Sequence, residues 1–163
     1  MAVSQTGGIG NRRRLRIRIK KIMGGDVMRE LEEGDQLRLD FRKIAKVAAL
    51  CPDVIPVAVQ NADTGEVILV AYTNELAMRR TLQSGTLTLW STSRNELWEK
   101  GKESGNTFEI VEARVNCEQN ALLYRVRPRK GNICHTKNRS GAARNCFYRR
   151  VDRTGTKLEN LDP

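Results

Sequence analysis

The sequence predicts an α+β domain rich in β-strands, with mostly antiparallel pairing and two short helices. Short runs of β-branched and apolar residues recur along the chain, turn residues separate them, and only two segments show helical spacing. At 163 residues the chain is long enough to build one hydrophobic core, so a single domain is expected. The apolar runs are too short to span a membrane.

The elements follow one another in a regular order. Apolar residues at helical spacing predict a first helix over residues 40–50. Val54–Val59 and Val67–Tyr72 have strand composition and a turn between them, which predicts a hairpin. Asn74 is placed to cap a second helix that ends at Gly85. Further strands are predicted at Thr86–Trp90, Thr107–Val115, Leu122–Val126 and Phe147–Val151.

Residues 1–25 are predicted to be a basic, flexible arm, and residues 26–163 the folded domain. Seven arginines and lysines lie between positions 12 and 21, ahead of the first acidic residue, Asp26. Without them the formal net charge falls from +10 to +3, so the basicity is largely a property of the arm. A disordered arm, an edge strand, a transit-peptide-like leader, a nucleic-acid arm and a later start codon all remain open interpretations.

The second half of the chain carries three cysteines and the single histidine. No signal-peptide pattern is visible, and in a reducing cytoplasm such cysteines more often bind metal or act in catalysis than form disulfides. Cys117, Cys134 and Cys146 would give zinc three thiolates and leave a fourth position for water, whose pKa falls toward about 7. His135 could transfer a proton near neutral pH. On spacing alone, buried thiols and a surface histidine are an equal alternative.

A second cluster combines hydroxyl groups, cations, glycines and two tryptophans. Such residues can hold a phosphate through side-chain and backbone donors, while an indole can stack on a base. The alternative is a polar hairpin with two packed aromatic side chains. The candidate substrate-binding residues are Trp90, Ser91, Thr92, Ser93, Arg94, Trp98, Lys100, Ser104 and Gly105.

Taken together and in collinear order, the two clusters resemble the phosphoribosyl-AMP cyclohydrolase family. The resemblance begins near Leu37, ends near Arg150 and covers about two-thirds of the chain. It is carried by Trp90-Ser-Thr-Ser-Arg94, Leu97-Trp98, Lys100-Gly101, Ser104-Gly105-Asn106, Cys117, Cys134-His135-Thr136 and Cys146-Phe147-Tyr148.

The resemblance implies a cytoplasmic enzyme of the third step of histidine biosynthesis, which opens the adenine ring of phosphoribosyl-AMP at the N1–C6 bond. It also implies an intertwined homodimer with shared active sites, in which Cys117, Cys134 and Cys146 hold zinc. His135 is then the general base or acid. Arg94, Lys100 and Lys102 are candidate partners for the two substrate phosphates.

Two segments depart from the family pattern. An Asp-Cys-Asp-x-Asp motif that holds magnesium in the family reads Asn116-Cys117-Glu118-Gln119-Asn120 here, and neutral amides hold Mg²⁺ less well than carboxylates. The segment between Cys134 and Cys146 is longer and adds Lys137, Arg139 and Arg144. Direct phosphate binding in place of magnesium is one hypothesis.

These departures leave alternatives to the histidine-pathway enzyme. The first is a paralogous zinc hydrolase acting on another purine-like nucleotide. Less favoured are a basic nucleic-acid-binding protein and a zinc-stabilised structural module.

Overall fold

A computed structural model of the chain describes residues 29–130 and 132–163. The predicted basic arm, residues 1–25, lies outside the described residues. The chain divides into a larger unit, Leu39–Arg150 with Glu159–Pro163, and a smaller one whose described residues are 29–38 and Val151–Leu158. In the smaller unit, backbone hydrogen bonds join Leu37 to Thr156 and Leu158 to Asp35.

Six strands of the larger unit form one mixed sheet in the order β4-β3-β2-β1-β6-β5. The β1–β6 pair is parallel and the other neighbouring pairs are antiparallel. The predicted strand-rich α+β class is therefore confirmed, whereas the homodimer stays a prediction. The strands of this sheet are β1 (Ile55–Asn61), β2 (Val67–Thr73), β3 (Thr88–Ser91), β4 (Glu96–Glu99), β5 (Phe108–Val115) and β6 (Leu122–Pro128). A separate two-stranded sheet pairs β7 (Arg149–Val151) with β8 (Leu158–Asn160).

Two helices accompany the sheet, α1 (Lys43–Leu50) and α2 (Glu75–Ser84). Both predicted ends of α2 are confirmed: Asn74 accepts a hydrogen bond from the Ala77 amide at 2.9 Å, and Gly85 adopts a left-handed conformation with φ 68°. Helix α1 begins later than predicted. Residues 29–33 are also helical.

The core is built mainly from side chains of the six-stranded sheet with Leu87, and Ala77 and Thr81 of α2 are buried as well. Side chains alternate across each strand, so every second residue faces inward. On α2, the Thr81 hydroxyl donates to the Thr88 carbonyl at 2.6 Å and accepts from the Thr88 amide at 2.9 Å, which fixes the helix to β3. The largest buried side chains are Tyr124, Phe108, Ile68, Leu87, Leu89, Val57, Val59 and Val126.

Apolar side chains of α1 are less covered than their helical spacing suggests. Val47 is buried, but Phe41, just ahead of α1, is 90% exposed and Ile44 is 64% exposed. The apolar face of α1 is thus only partly covered within one chain. Among the described residues, no helix is long and apolar enough to cross a membrane.

Candidate active site

A cavity of about 480 Å³ opens beside the hairpin formed by β3 and β4. Four of the predicted substrate-binding residues line it: Arg94, Trp98, Lys100 and Ser104. Strand β4 was not predicted from the sequence, and it is this strand that carries Trp98 to the cavity wall. The remaining lining residues are Glu96, Leu97, Glu99, Gly101, Lys102 and Glu103.

The turn of this hairpin is held by Asn95, which has a positive φ of 54°. Its side-chain oxygen accepts hydrogen bonds from the Trp90 indole and from the Cys51 thiol, each at 3.1 Å. Trp90 is therefore held by a polar contact rather than buried in the core. The predicted residues Ser91, Thr92 and Ser93 lie in the same hairpin and do not line the cavity.

The loop that follows β4 is tightly folded. Gly105 donates its amide to the carbonyl of Gly101 at 2.7 Å, and both glycines have positive φ values. A Cβ at Gly101 would lie 2.0 Å from the Asn106 carbonyl oxygen, so only glycine fits there. A Cβ at Gly105 would lie 3.1 Å from the ammonium group of Lys130, which places a further cation beside Gly105.

Cys134 and Cys146 are brought together by a closed loop between them. Cys134 donates its amide to the Arg144 carbonyl and Arg144 donates to the Thr136 carbonyl, each at 3.1 Å. At the tip, the Asn138 side chain accepts from the amides of Ser140 and Ala142. The longer segment noted in the sequence is therefore a folded hairpin-like loop.

The two thiols form an interacting pair. Burial raises the pKa of Cys134, but hydrogen bonds from Thr136 and Cys146, with the charge of His135, outweigh it and lower that pKa. The Thr136 hydroxyl lies 3.3 Å from the Cys134 sulfur. Burial of the sulfur and the adjacent Cys134 raise the pKa of Cys146 to about 12, although the residue as a whole is exposed. Protein groups thus shift the pKa values of the two thiols in opposite directions.

His135 is exposed beside this pair, with its Nδ1 atom 3.8 Å from the Cys134 sulfur. Lys100 connects the pair to the cavity: it lines the cavity, and its charge lowers the pKa of Cys146 against the larger opposing effects. The two clusters predicted from the sequence therefore meet at Lys100.

Cys117 lies apart, exposed in the β5–β6 connection. Within residues 29–130 and 132–163, no three His, Cys, Asp or Glu side chains are grouped so that they could hold a metal ion. All four cysteines are free. One chain therefore assembles two of the three predicted zinc ligands.

Three residues that shape the candidate site were not predicted from the sequence: Asn95, Thr136 and Lys130. Asparagine tolerates the left-handed conformation and favours turns, so Asn95 could have been assigned as the turn residue. Thr136 belongs to the Cys-His-Thr sequence, but the 3.3 Å contact of its hydroxyl with the Cys134 sulfur depends on the local fold of that segment. Lys130 approaches Gly105 from a distant part of the chain, and no local sequence pattern predicts that contact.

Comparison with known proteins places these features in a family. The sequence model for phosphoribosyl-AMP cyclohydrolase matches residues 69–148, which include both clusters. A phosphoribosyl-AMP cyclohydrolase of Archaeoglobus fulgidus is 48% identical over 99 residues, covering 61% of this chain and 86% of that protein. One from Hyphomonas neptunium is 40% identical over 121 residues, covering 74% of this chain and 82% of the relative.

A third relative is a bifunctional histidine-biosynthesis protein of Aquifex aeolicus, 41% identical over 110 residues, covering 68% of this chain and 50% of that one. These matches define the chain as an enzyme, a hydrolase of histidine biosynthesis. It belongs to the phosphoribosyl-AMP cyclohydrolase family, which confirms the resemblance found in the sequence.

Proposed function

We propose that the chain hydrolyses the N1–C6 bond of the adenine ring of phosphoribosyl-AMP with the help of zinc. The observation that carries this proposal is the contact between the Cys134 and Cys146 thiols beside Lys100, at the edge of the 480 Å³ cavity. Family membership supplies the substrate class. We expect the enzyme to act in the cytoplasm.

The donor chemistry fits zinc. Thiolates are soft ligands that zinc accepts at about 2.3 Å, and the two thiols already lie in hydrogen-bonding contact. Cys134 and Cys146 would hold the metal from one chain, and we propose that Cys117 of a second chain completes the set. Zinc, when bound there, would lower the pKa of a water molecule toward about 7 and so supply a nucleophile.

Exposed apolar side chains support a shared site in a homodimer. Val115, two residues before Cys117, is 55% exposed, and Phe147, directly after Cys146, is 57% exposed. Phe41 and Ile44 add further uncovered apolar surface. Contact with a second copy would remove such surface from water, which is favourable at roughly 25 cal/mol per Å².

The proton-transfer role falls to His135. Its ring lies exposed beside Cys134, where it can accept a proton from the attacking water and pass one to the nitrogen released as the ring opens. The N1-ribosyl group makes the substrate purine cationic, which favours attack at C6.

Substrate binding is assigned to the cavity. Trp98 offers an aromatic face and Lys102 offers positive charge for phosphate groups, while the Lys100 ammonium contacts the segment that carries the thiol pair. Arg94 forms an ion pair with Glu96 at 2.8 Å, so it is partly neutralised where it stands. Lys130, beside Gly105, is an additional candidate for contact with a phosphate.

The test is turnover of phosphoribosyl-AMP by the purified chain, with zinc content measured on the same samples. The wild type is expected to bind zinc and open the ring. Cys134→Ser should lose both properties, and His135→Ala should keep zinc but lose roughly 100-fold or more in kcat. Cys51→Ser is the matched control, since that thiol lies elsewhere and should leave zinc content unchanged. Bound zinc without any turnover would favour a hydrolase of another purine-like nucleotide.

A further inference from the structure

The loop that carries Cys117 joins β5 to β6 and closes on itself. Its backbone is joined by hydrogen bonds from the Asn116 amide to the Ala121 carbonyl at 3.1 Å and from the Gln119 amide to the Asn116 carbonyl at 3.0 Å. Gln119 adopts a positive φ of 55°. This is the loop in which the family pattern has magnesium-binding carboxylates.

Side-chain amides complete this closure. The Asn116 side-chain oxygen accepts from the amides of Asn120 and Ala121, each at 2.9 Å. The Asn116 side-chain NH₂ group donates to the Asn120 side-chain oxygen at 2.8 Å. The Asn120 NH₂ group in turn donates to a carboxylate oxygen of Glu118 at 3.0 Å. Asn116, Glu118 and Asn120 therefore each have a side-chain oxygen that accepts a hydrogen bond from within the loop.

Magnesium does not fit this arrangement. Mg²⁺ requires a near-octahedral set of oxygen ligands and is held in proteins mainly by carboxylates. Here Glu118 is the only carboxylate of the three positions, and one of its oxygens is engaged by an amide donor. The NH₂ groups of Asn116 and Asn120 occupy positions where a carboxylate would present another oxygen to a cation. A carboxylate at either position could not donate these hydrogen bonds.

We infer that amide hydrogen bonds hold the Cys117 loop in shape in place of a divalent cation, so that neither its stability nor turnover depends on Mg²⁺. The amides do what the cation would do: they cross-link positions 116, 118 and 120 of one short loop. Only the turnover arm of this inference rests on the proposed function, because the stability of the loop can be measured without substrate.

The experiment compares thermal unfolding of metal-depleted, zinc-restored protein with and without millimolar Mg²⁺. The double variant Asn116→Asp/Asn120→Asp restores carboxylates, which repel one another when no cation is bound. Its Tm should fall without Mg²⁺ and recover by about 4 °C or more when Mg²⁺ is added, while the wild-type Tm stays constant. The single variant Asn120→Asp keeps the hydrogen bonds that Asn116 accepts from the backbone amides of residues 120 and 121. Its Tm can be compared with and without Mg²⁺ if the double variant folds poorly.

Asn61→Asp is the matched control. Asn61 also closes a turn by accepting from two backbone amides, those of Asp63 and Thr64, and its replacement adds one negative charge elsewhere, as Asn120→Asp does in the Cys117 loop. Its Tm should not respond to Mg²⁺. Turnover of the wild type should be unchanged when Mg²⁺ is removed with zinc kept saturating.

Three results would overturn the inference. They are a saturable rise in wild-type Tm with Mg²⁺, a strict requirement of turnover for Mg²⁺, or carboxylate variants as indifferent to Mg²⁺ as the control. A chain with no activity on phosphoribosyl-AMP would still give the Tm comparison, so the failure of the proposed function can be distinguished from failure of this inference.

Discussion

Lys100 donates a hydrogen bond from its ammonium group to the backbone carbonyl of Ile133 at 3.3 Å. The contact ties the end of β4 to the segment that carries Cys134. The same ammonium group lies 5.1 Å from the ring centroid of Phe108 and 5.9 Å from that of Trp98. Lys100 is thus held between the cavity wall and the thiol pair.

Replacing Lys100 should lower kcat more than it raises KM. Lys100→Met removes a charged hydrogen bond to the Ile133 carbonyl, typically worth about 1.5–3 kcal/mol, and so loosens the segment that carries Cys134. We expect kcat to fall and zinc to be held less tightly. Lys102→Met, a neighbouring lysine in the cavity, should mainly raise KM. Steady-state kinetics with zinc analysis separates the two, and an unchanged kcat for Lys100→Met would refute the assignment.

Gly101→Ala should destabilise the fold strongly. The new Cβ would meet the backbone of Asn106 at 2.0 Å, and the residue has a φ of +86°. We expect a loss of about 3 kcal/mol or more in the free energy of unfolding, measured by urea denaturation. Gly65→Ala is the control, because its φ is +78° but nothing lies within 4 Å. It should cost only about 1–2 kcal/mol. Equal losses of unfolding free energy in the two variants would contradict the close approach of Gly101 to the Asn106 backbone.

Glu112 should make stability depend on acid pH. Hydrogen bonds from Arg114 and then Arg125 lower the pKa of Glu112 from 4.5 to about 2. Because the folded-state pKa is depressed, the stabilisation is complete above about pH 4.5 and is lost as the pH falls toward about 2. The difference in unfolding free energy between the wild type and Glu112→Gln should shrink over that window. It should also shrink with added salt, since the Glu112 side chain is partly exposed to solvent. A difference that is constant with pH would contradict this assignment.

Arg144 is expected to be structural rather than a phosphate ligand. It is only 3% exposed, donates to the Asp162 carbonyl at 2.7 Å and lies 4.5 Å from the ring centroid of Tyr148. Arg144→Ala should cost roughly 2–3 kcal/mol of stability by chemical denaturation. The exposed Arg139 lies on the same loop, and Arg139→Ala should change stability by less than about 0.5 kcal/mol. A raised KM at unchanged stability for Arg144→Ala would contradict the prediction.

Local signals in the sequence predicted much of the fold. Asn74 and Gly85 bound α2 because an amide oxygen can cap free amides and glycine adopts positive φ without strain. The parallel pairing of β1 with β6 had no such signal, since it joins strands that lie far apart in sequence. Strand β4 was missed because its composition, Glu-Leu-Trp-Glu, resembles that of a polar loop.

The candidate site was predicted in parts. The residue types at Cys134, His135 and Cys146 led us to predict a metal site, which stays a prediction, and the structure places Cys134 and Cys146 together. Sequence could not show that Cys117 stands apart from them within one chain, because that depends on how distant segments pack. The burial of Arg144 was equally inaccessible, since its partners Tyr148 and Asp162 are brought to it by the fold.

A zinc site shared between two subunits can be tested by mixing two inactive variants. Cys117→Ser and Cys134→Ser chains, unfolded and refolded together in equal amounts, would form mixed dimers in half of all pairings. Each mixed dimer has one site in which all three cysteines are intact. We expect recovery of about one quarter of wild-type turnover of phosphoribosyl-AMP, with zinc regained in proportion. Absence of any recovery from two folded variants would contradict it.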